Sequence, residues 1–272
     1  MSAMRVEFAT EPGHPGKPNE DFVVAGPTTL VLLDGVTSPA DNGCKHGVGW
    51  FVERLGSALF THSGGRPDRS LGECLHDAIE DTAALHVDGC DLTRPEAPAA
   101  TAVVARIIEE RLEYLVLCDS TLLIEGDDDL TVITDDRIDV IGAALRRARD
   151  AHPMGTPDYL TAHQTLLDTL REARNAPGGY WVAAADPAAA GEALTGTLKL
   201  SDVQALAALT DGASRLVDRF GLSDWDRLMT VLRHFGPAEL LARVRAAEAS
   251  DADGTRWPRG KACDDATAVW AL

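Results

Sequence analysis

The chain is 272 residues long, 45% hydrophobic and 25% charged, a composition that excludes a disordered chain and provides for a substantial core. Its formal net charge of −18 repels phosphate backbones, so nucleic-acid binding by charge is disfavoured, while cations are drawn to the surface. Five cysteines, odd in number and with no C-x-x-C pair, support neither a disulfide framework nor a zinc finger. No stretch reaches the length of a membrane span, and the N-terminus lacks a basic start followed by an apolar segment. The expectation is a cytoplasmic chain with no membrane partner.

Met4 to Thr10 alternates and predicts a first strand. A Pro- and Gly-rich loop, 11 to 18, carries Lys17 without the spacing of a P-loop and leads to Asn19-Glu20-Asp21. Phe22 to Ala25 is a second strand, and the Gly26-Pro27 turn brings the chain back in Leu30 to Leu33. That run is apolar without a break, as a strand buried on both faces requires, and it ends on Asp34-Gly35. Helical spacing predicts two helices, Cys44 to Thr61 and Ser70 to His86, the first capped by Asp41 or Asn42. Ala100 to Ile108, Leu112 to Cys118, Leu122 to Glu125 and Leu130 to Thr134 read as a meander, whose second strand runs into Asp119-Ser120.

From 138 to 200 the character changes. Helices are predicted at Val140 to Ala151 and Tyr159 to Ala173, then a short strand at Tyr180 to Ala184. The Ala-rich piece Ala185 to Gly196 carries few packing signals; it reads as a mobile stretch, and substrate selection is expected in this variable, flap-like segment. Val203 to Thr210 is a buried strand ending on Asp211-Gly212. Three helices follow, Ala213 to Phe220, Asp224 to His234 and Pro237 to Ala249, with Pro237 suited to a first helical turn. Asp264-Asp265 opens a last strand, Thr267 to Leu272. Strands, helices, strands and helices in blocks predict an α+β fold: a central β-sandwich of two antiparallel sheets flanked by helices, residues 1–272 forming one domain.

Carboxylates at the mouths of buried strands are what a site for hard divalent cations needs, because the scaffold holds several oxygens in one place. Asp34, Asp119, Asp211 and Asp264 stand at such mouths, and the Gly26-Pro27 turn brings Glu20 and Asp21 near Asp34. The chain carries no G-x-S-x-G elbow and no H-E-x-x-H. The reading from the residues is a metal-dependent hydrolase built around Asp34.

Taken in order, Asn19-Glu20-Asp21, Asp34-Gly35, Ala100-Thr101-Ala102, Asp119-Ser120, Thr210-Asp211-Gly212 and Asp264-Asp265-Ala266-Thr267 resemble the motifs of the metal-dependent protein phosphatases (PPM), the type 2C serine/threonine phosphatases. The resemblance runs from about residue 5 to residue 272. It implies the sandwich fold and hydrolysis of phosphoserine and phosphothreonine through a hydroxide activated by two Mn²⁺ or Mg²⁺ ions, with Asp34, Asp211 and Asp264 as the catalytic acids. By the same resemblance Asp34 bridges the metals, Gly35 offers a carbonyl, Asp211 and Asp264 ligate one metal, and Glu20 and Asp21 hold metal-bound waters. Asp119 matches an acid linked to a weak third metal, and Thr101 is structural. Three positions depart from the family pattern. Gly16 stands where an Arg grips the phosphate, leaving Lys17 as the substrate contact. Val36 replaces a His that serves some members as general acid; His14 and His46 are near in sequence, but read as a surface and a helix residue. Arg215 replaces an Asp and is expected in a surface salt bridge, with contact to the phosphate as the other reading. The implied partner is a phosphorylated protein in a signalling circuit. A small phosphorylated metabolite, or a weakly active binding module on the same fold, are the alternatives.

Overall fold

The computed structural model describes residues 3–86 and 89–272. Among them, ten strands form two antiparallel sheets of five. The first strands are β1 (Val6–Glu11), β2 (Phe22–Ala25) and β3 (Thr29–Leu33), followed by helices α1 (Gly47–Gly65) and α2 (Leu71–Ala84). Strands β4 (Ala102–Ile108), β5 (Arg111–Leu117), β6 (Thr121–Glu125) and β7 (Leu130–Ile133) precede α3 (Arg137–Asp150) and α4 (Pro157–Ala173). Then come β8 (Leu194–Lys199), β9 (Ala205–Leu209), α5 (Asp211–Asp218), α6 (Trp225–Ser250) and β10 (Ala266–Ala271). One sheet has the order β1-β10-β9-β6-β7, the other β2-β3-β4-β5-β8.

Strand periodicity sorts the core into three layers. In β3, Val31 and Leu33 face α1 and α2, while Leu30 and Leu32 face the other sheet. In β9, Ala205, Ala207 and Leu209 pack under α5 and α6, and Leu206 and Ala208 fill the space between the sheets. Both strands are buried along their whole length, as unbroken apolar runs require. The α-β-β-α order follows.

Several expectations are corrected. The predicted meander is split: β4 and β5 lie in one sheet, β6 and β7 in the other, and the chain changes sheets at 118–120. Cys118 makes this corner at φ 66°, a left-handed conformation uncommon for a residue other than glycine. Tyr180 to Ala184 makes only isolated bridges, Tyr180 to Arg174 and Ala183 to Ala100. The Ala-rich piece is not loose. Pro187–Glu192 forms a 3₁₀ turn with Ala189 and Ala190 buried, and Leu194–Lys199 pairs with β5 as an edge strand. Small side chains allow that close packing, which a search for large apolar residues overlooks. Helix α1 begins at Gly47 rather than Cys44, and Asn42 bonds the Cys44 amide instead of capping the helix. The break expected at Gly236, before Pro237, is borne out as a kink at φ 79°, across which the two predicted helices run on as α6. Among the described residues, no helix is long and apolar enough to cross a membrane.

Candidate metal centre

Strand register gathers the acids. Phe22 pairs with Leu33, so Asp21 and Asp34, the next residues outward, leave the same end of one sheet. In that sheet Ala102 pairs with Leu117, which puts Asp119 beyond the same end of β5. In the other sheet Leu209 pairs with Thr121 and with Ala268, so Asp211 at the mouth of β9 lies beside the chain that enters β10 from Asp264 and Asp265. Five acidic segments remote in sequence thus meet at one end of the sandwich.

Local chemistry then fixes each side chain. Asp21 Oδ2 accepts from Thr267 Oγ1 at 2.8 Å and from Thr210 Oγ1 at 3.1 Å, which ties the acid of one sheet to β10 and to the end of β9 in the other. Its Oδ1 is buried with no protein partner. The Asp211 amide faces Asp34 Oδ2 at 3.4 Å. Asp265 is a framework residue: it accepts from the Gly13 amide at 2.7 Å and the Glu20 amide at 2.6 Å, holding the loop that presents Glu20. The Gly35 amide donates to the Glu20 carbonyl at 3.1 Å, and a Cβ on Gly35 would lie 2.5 Å from that carbonyl oxygen. Only glycine lets the two segments approach so closely. Thr101 and Ser120 share a buried hydroxyl contact at 2.6 Å, a structural role as expected.

The electrostatics are those of crowded anions. Burial, then Asp21, Asp211, Asp264 and Asp119, push the Asp34 carboxyl well above its usual range. Burial pushes Asp21 up to about 8 against the opposing pull of its two threonine bonds, and burial together with Asp211 pushes Asp119 up to about 7. Glu20 and Asp264 are raised as well, each chiefly by burial. Clustered carboxylates that hinder one another's ionisation, one with a bare buried oxygen, fit a divalent cation bound among them: the ion neutralises the repulsion, and its coordinated water completes the unpaired oxygen.

Two cations modify the predicted picture. Arg215 makes a salt bridge as expected, but not at the surface. It is buried, donating to Glu248 Oε1 at 2.6 Å and to Asp264 Oδ2 at 2.9 Å, so it orients Asp264 from behind. Lys261, which sequence reasoning passed over, places Nζ 2.6 Å from Asp264 Oδ1 and 2.8 Å from Thr37 Oγ1. Its signal was present as a Lys three residues before the Asp-Asp pair. Lys17 is exposed on the loop before Glu20 and within electrostatic reach of it. His46 is engaged elsewhere, against Cys44 and Cys90.

No protein-family model and no curated protein matches the chain significantly. Solved structures do. The catalytic domain of the serine/threonine phosphatase PstP, in complex with two manganese ions, superposes with a TM-score of 0.58 at 19% identity, over 99% of this chain and 97% of that one. The Mycobacterium tuberculosis phosphatase PstP/Ppp gives 0.54 at 18% identity, over 99% and 98%. Stp1 of Staphylococcus aureus gives 0.54 at 15% identity, over 99% and 94%. At these identities the likeness is one of fold, and over nearly its whole length this chain has the fold of the metal-dependent serine/threonine phosphatases.

Proposed function

We propose that the protein is a metal-dependent phosphatase that hydrolyses phosphoserine and phosphothreonine monoesters. The observation that carries this reading is the convergence of carboxylates from both sheets on Asp34, with the bare buried oxygen of Asp21 among them. Asp34, Asp211 and Asp264 would hold two Mn²⁺ or Mg²⁺ ions, with the Gly35 carbonyl completing the set and Glu20 and Asp21 holding coordinated water. Asp119 would serve a weaker third ion. When bound, such ions supply an activated water and neutralise the phosphate oxygens during in-line displacement.

The chain's own residues prepare that chemistry. Thr210 and Thr267 hold Asp21 by one oxygen and leave the other turned inward. Arg215 fixes the plane of the Asp264 carboxylate. Asp265 clamps the loop behind Glu20 by two amides. Lys17 would meet the substrate phosphate as a point charge, without the fork of an arginine; Lys261 is a second ammonium beside the acids. The 138–200 segment is where substrate selection is placed, and a cytoplasmic signalling role is the accompanying proposal.

The test sets phosphopeptides against small phosphorylated metabolites with Mn²⁺ present, using wild type and Asp211→Asn. Turnover that prefers phosphopeptides and falls by at least about a hundredfold in the variant is expected, since a metal ligand is lost. Preference for metabolites would replace the protein substrate with a small one. Metal binding without turnover of either class would assign the fold to a binding module, with Gly16 and Val36 as the reason.

A further inference from the structure

The thiols outside the carboxylate site are not scattered. Cys44 and Cys90, 46 residues apart, bring their sulfurs to 3.7 Å, and His46 Nδ1 lies 3.6 Å from each. We propose that Cys44, His46 and Cys90 form a second metal site, sharing no residue with the first, that takes one thiophilic divalent cation of the zinc type.

The triangle has the right dimensions. With Zn–S of about 2.3 Å and Zn–N of about 2.0 Å at tetrahedral angles, two sulfurs stand about 3.8 Å apart and each stands about 3.5 Å from the nitrogen. The three donors therefore occupy three corners of a zinc tetrahedron as they stand. A disulfide would instead need the sulfurs to close to about 2.05 Å, and it gives Nδ1 no reason to face both of them equally. Two thiols and an imidazole are soft to borderline donors, whereas the Asp34 site offers hard oxygens, so the two sites select different metals.

The surroundings are built for this. The Asn42 side chain accepts from the Cys44 amide at 2.9 Å, and the His46 amide turns back to Cys44 Sγ at 3.4 Å. Burial pushes the Cys44 thiol up, and the His46 amide on its sulfur opposes that shift. Gly47 makes the turn at φ 80°. The His46 ring is fixed by stacking on Trp50 at 4.1 Å. His86 stands edge-on to His46 at 5.3 Å; its Nδ1 faces the Thr82 carbonyl at 2.9 Å, while its Nε2 is buried without a protein partner. A buried lone pair beside the triad suits a hydrogen bond to a water in the fourth position. The site also has structural work to do. It joins the loop before α1 to the loop after α2 near the Asp91 amide on the Gly43 carbonyl and Arg94 on Asp41, at the far side of the loops from the Val36–Ala99 and Ser38–Glu96 contacts. The first of these loops leaves the core at Asp34-Gly35, so the ion would anchor the chain that departs from the carboxylate site.

The experiment is elemental analysis of the full chain purified under reducing conditions without chelator, followed by replacement of the bound metal with Co²⁺. About one zinc per chain is expected, and the cobalt form should show thiolate-to-metal absorption in the near ultraviolet with the visible bands of tetrahedral cobalt. Both signals should vanish in Cys90→Ser and persist in Asp34→Asn. His46→Gln should weaken cobalt binding by more than the roughly tenfold that loss of an outer partner costs. If Cys90→Ser fails to fold, the wild-type cobalt spectrum decides alone. Folded wild type with neither zinc nor cobalt absorption would overturn the proposal, as would a Cys44–Cys90 disulfide in the protein kept reduced. None of these readouts depends on phosphatase activity.

Discussion

Asp264 is held from two sides by cations, and the two have different consequences. Arg215 lies in the core with Glu248, which is fully buried and also takes Arg245 Nη1 at 2.7 Å. Removing Arg215 leaves buried carboxylates short of a partner, so Arg215→Ala should cost about 3 kcal/mol of stability by denaturant unfolding, and Arg215→Lys should recover only part of it. Lys261 is half-exposed and competes with any cation for Asp264. Lys261→Met should therefore tighten Mn²⁺ binding about two- to fivefold, the range of a half-exposed ion pair, in a calorimetric titration. Weaker binding would mean that the ammonium supports the site rather than competes for it. The acids themselves were legible in the sequence, because each ends an apolar run or opens one, and a buried strand delivers its first polar residue to a mouth. Their partners were not. Arg215 reaches Glu248 across 33 positions, Asp21 reaches Thr267 across 246, and the Cys44–Cys90 contact spans 46, and no local pattern encodes such distances.

At the scale of elements, the join between β9 and α5 is the tightest in the molecule's working end. A Cβ on Gly212 would fall 1.9 Å from the Asp265 carbonyl oxygen, so the helix that begins with Asp211 can lie against the start of β10 only if that residue is glycine. Gly212→Ala should push Asp211 and Asp264 apart, lowering stability by about 2–4 kcal/mol and weakening Mn²⁺ binding in the same protein. The loop after α6 is held by a different device. Burial raises the Asp251 carboxyl, but the Arg256 and Trp257 amides and Arg259 outweigh it and bring it down to about 2. Arg259 is itself buried and donates to Asp251 Oδ2 at 2.8 Å. A carboxyl depressed in the folded state stabilises it above the unfolded value of about 3.9 and loses that contribution as pH falls towards about 2. Asp251→Asn should flatten that part of the acid-unfolding curve, followed by circular dichroism between those limits. Sequence reading missed this knot because a polar, Gly-containing loop looks solvated; its order comes from one carboxylate collecting three donors. Elements with large apolar residues at regular spacing were readable to within a few positions, whereas the edge strand β8 and the 3₁₀ turn before it, built from Ala, Gly and Thr, were not.

Across the whole molecule, the sandwich serves as a device for convergence. Sheet exchange at Cys118 and the loop from β1 to β2 carry the chain between sheets at the end where the acids meet, so both sheets contribute ligands to one place. The resulting crowding of negative charge costs the metal-free protein stability that a bound cation restores. At a Mn²⁺ concentration a hundredfold above its Kd, linkage adds about 2.7 kcal/mol, enough to raise Tm by about 5–10 °C in a chain of this size. Asp34→Asn should unfold at a higher temperature than the wild type without metal, because a buried charge is removed, and should respond far less to Mn²⁺. The likeness to solved serine/threonine phosphatases is one of fold, so the chemistry rests on the acids, and one assay reaches them directly. That assay is hydrolysis of p-nitrophenyl phosphate, with and without Mn²⁺, by wild type and Asp34→Asn. Turnover that requires Mn²⁺ and collapses in the variant is the predicted result. Turnover that is indifferent to the metal, or that survives loss of Asp34, would contradict it.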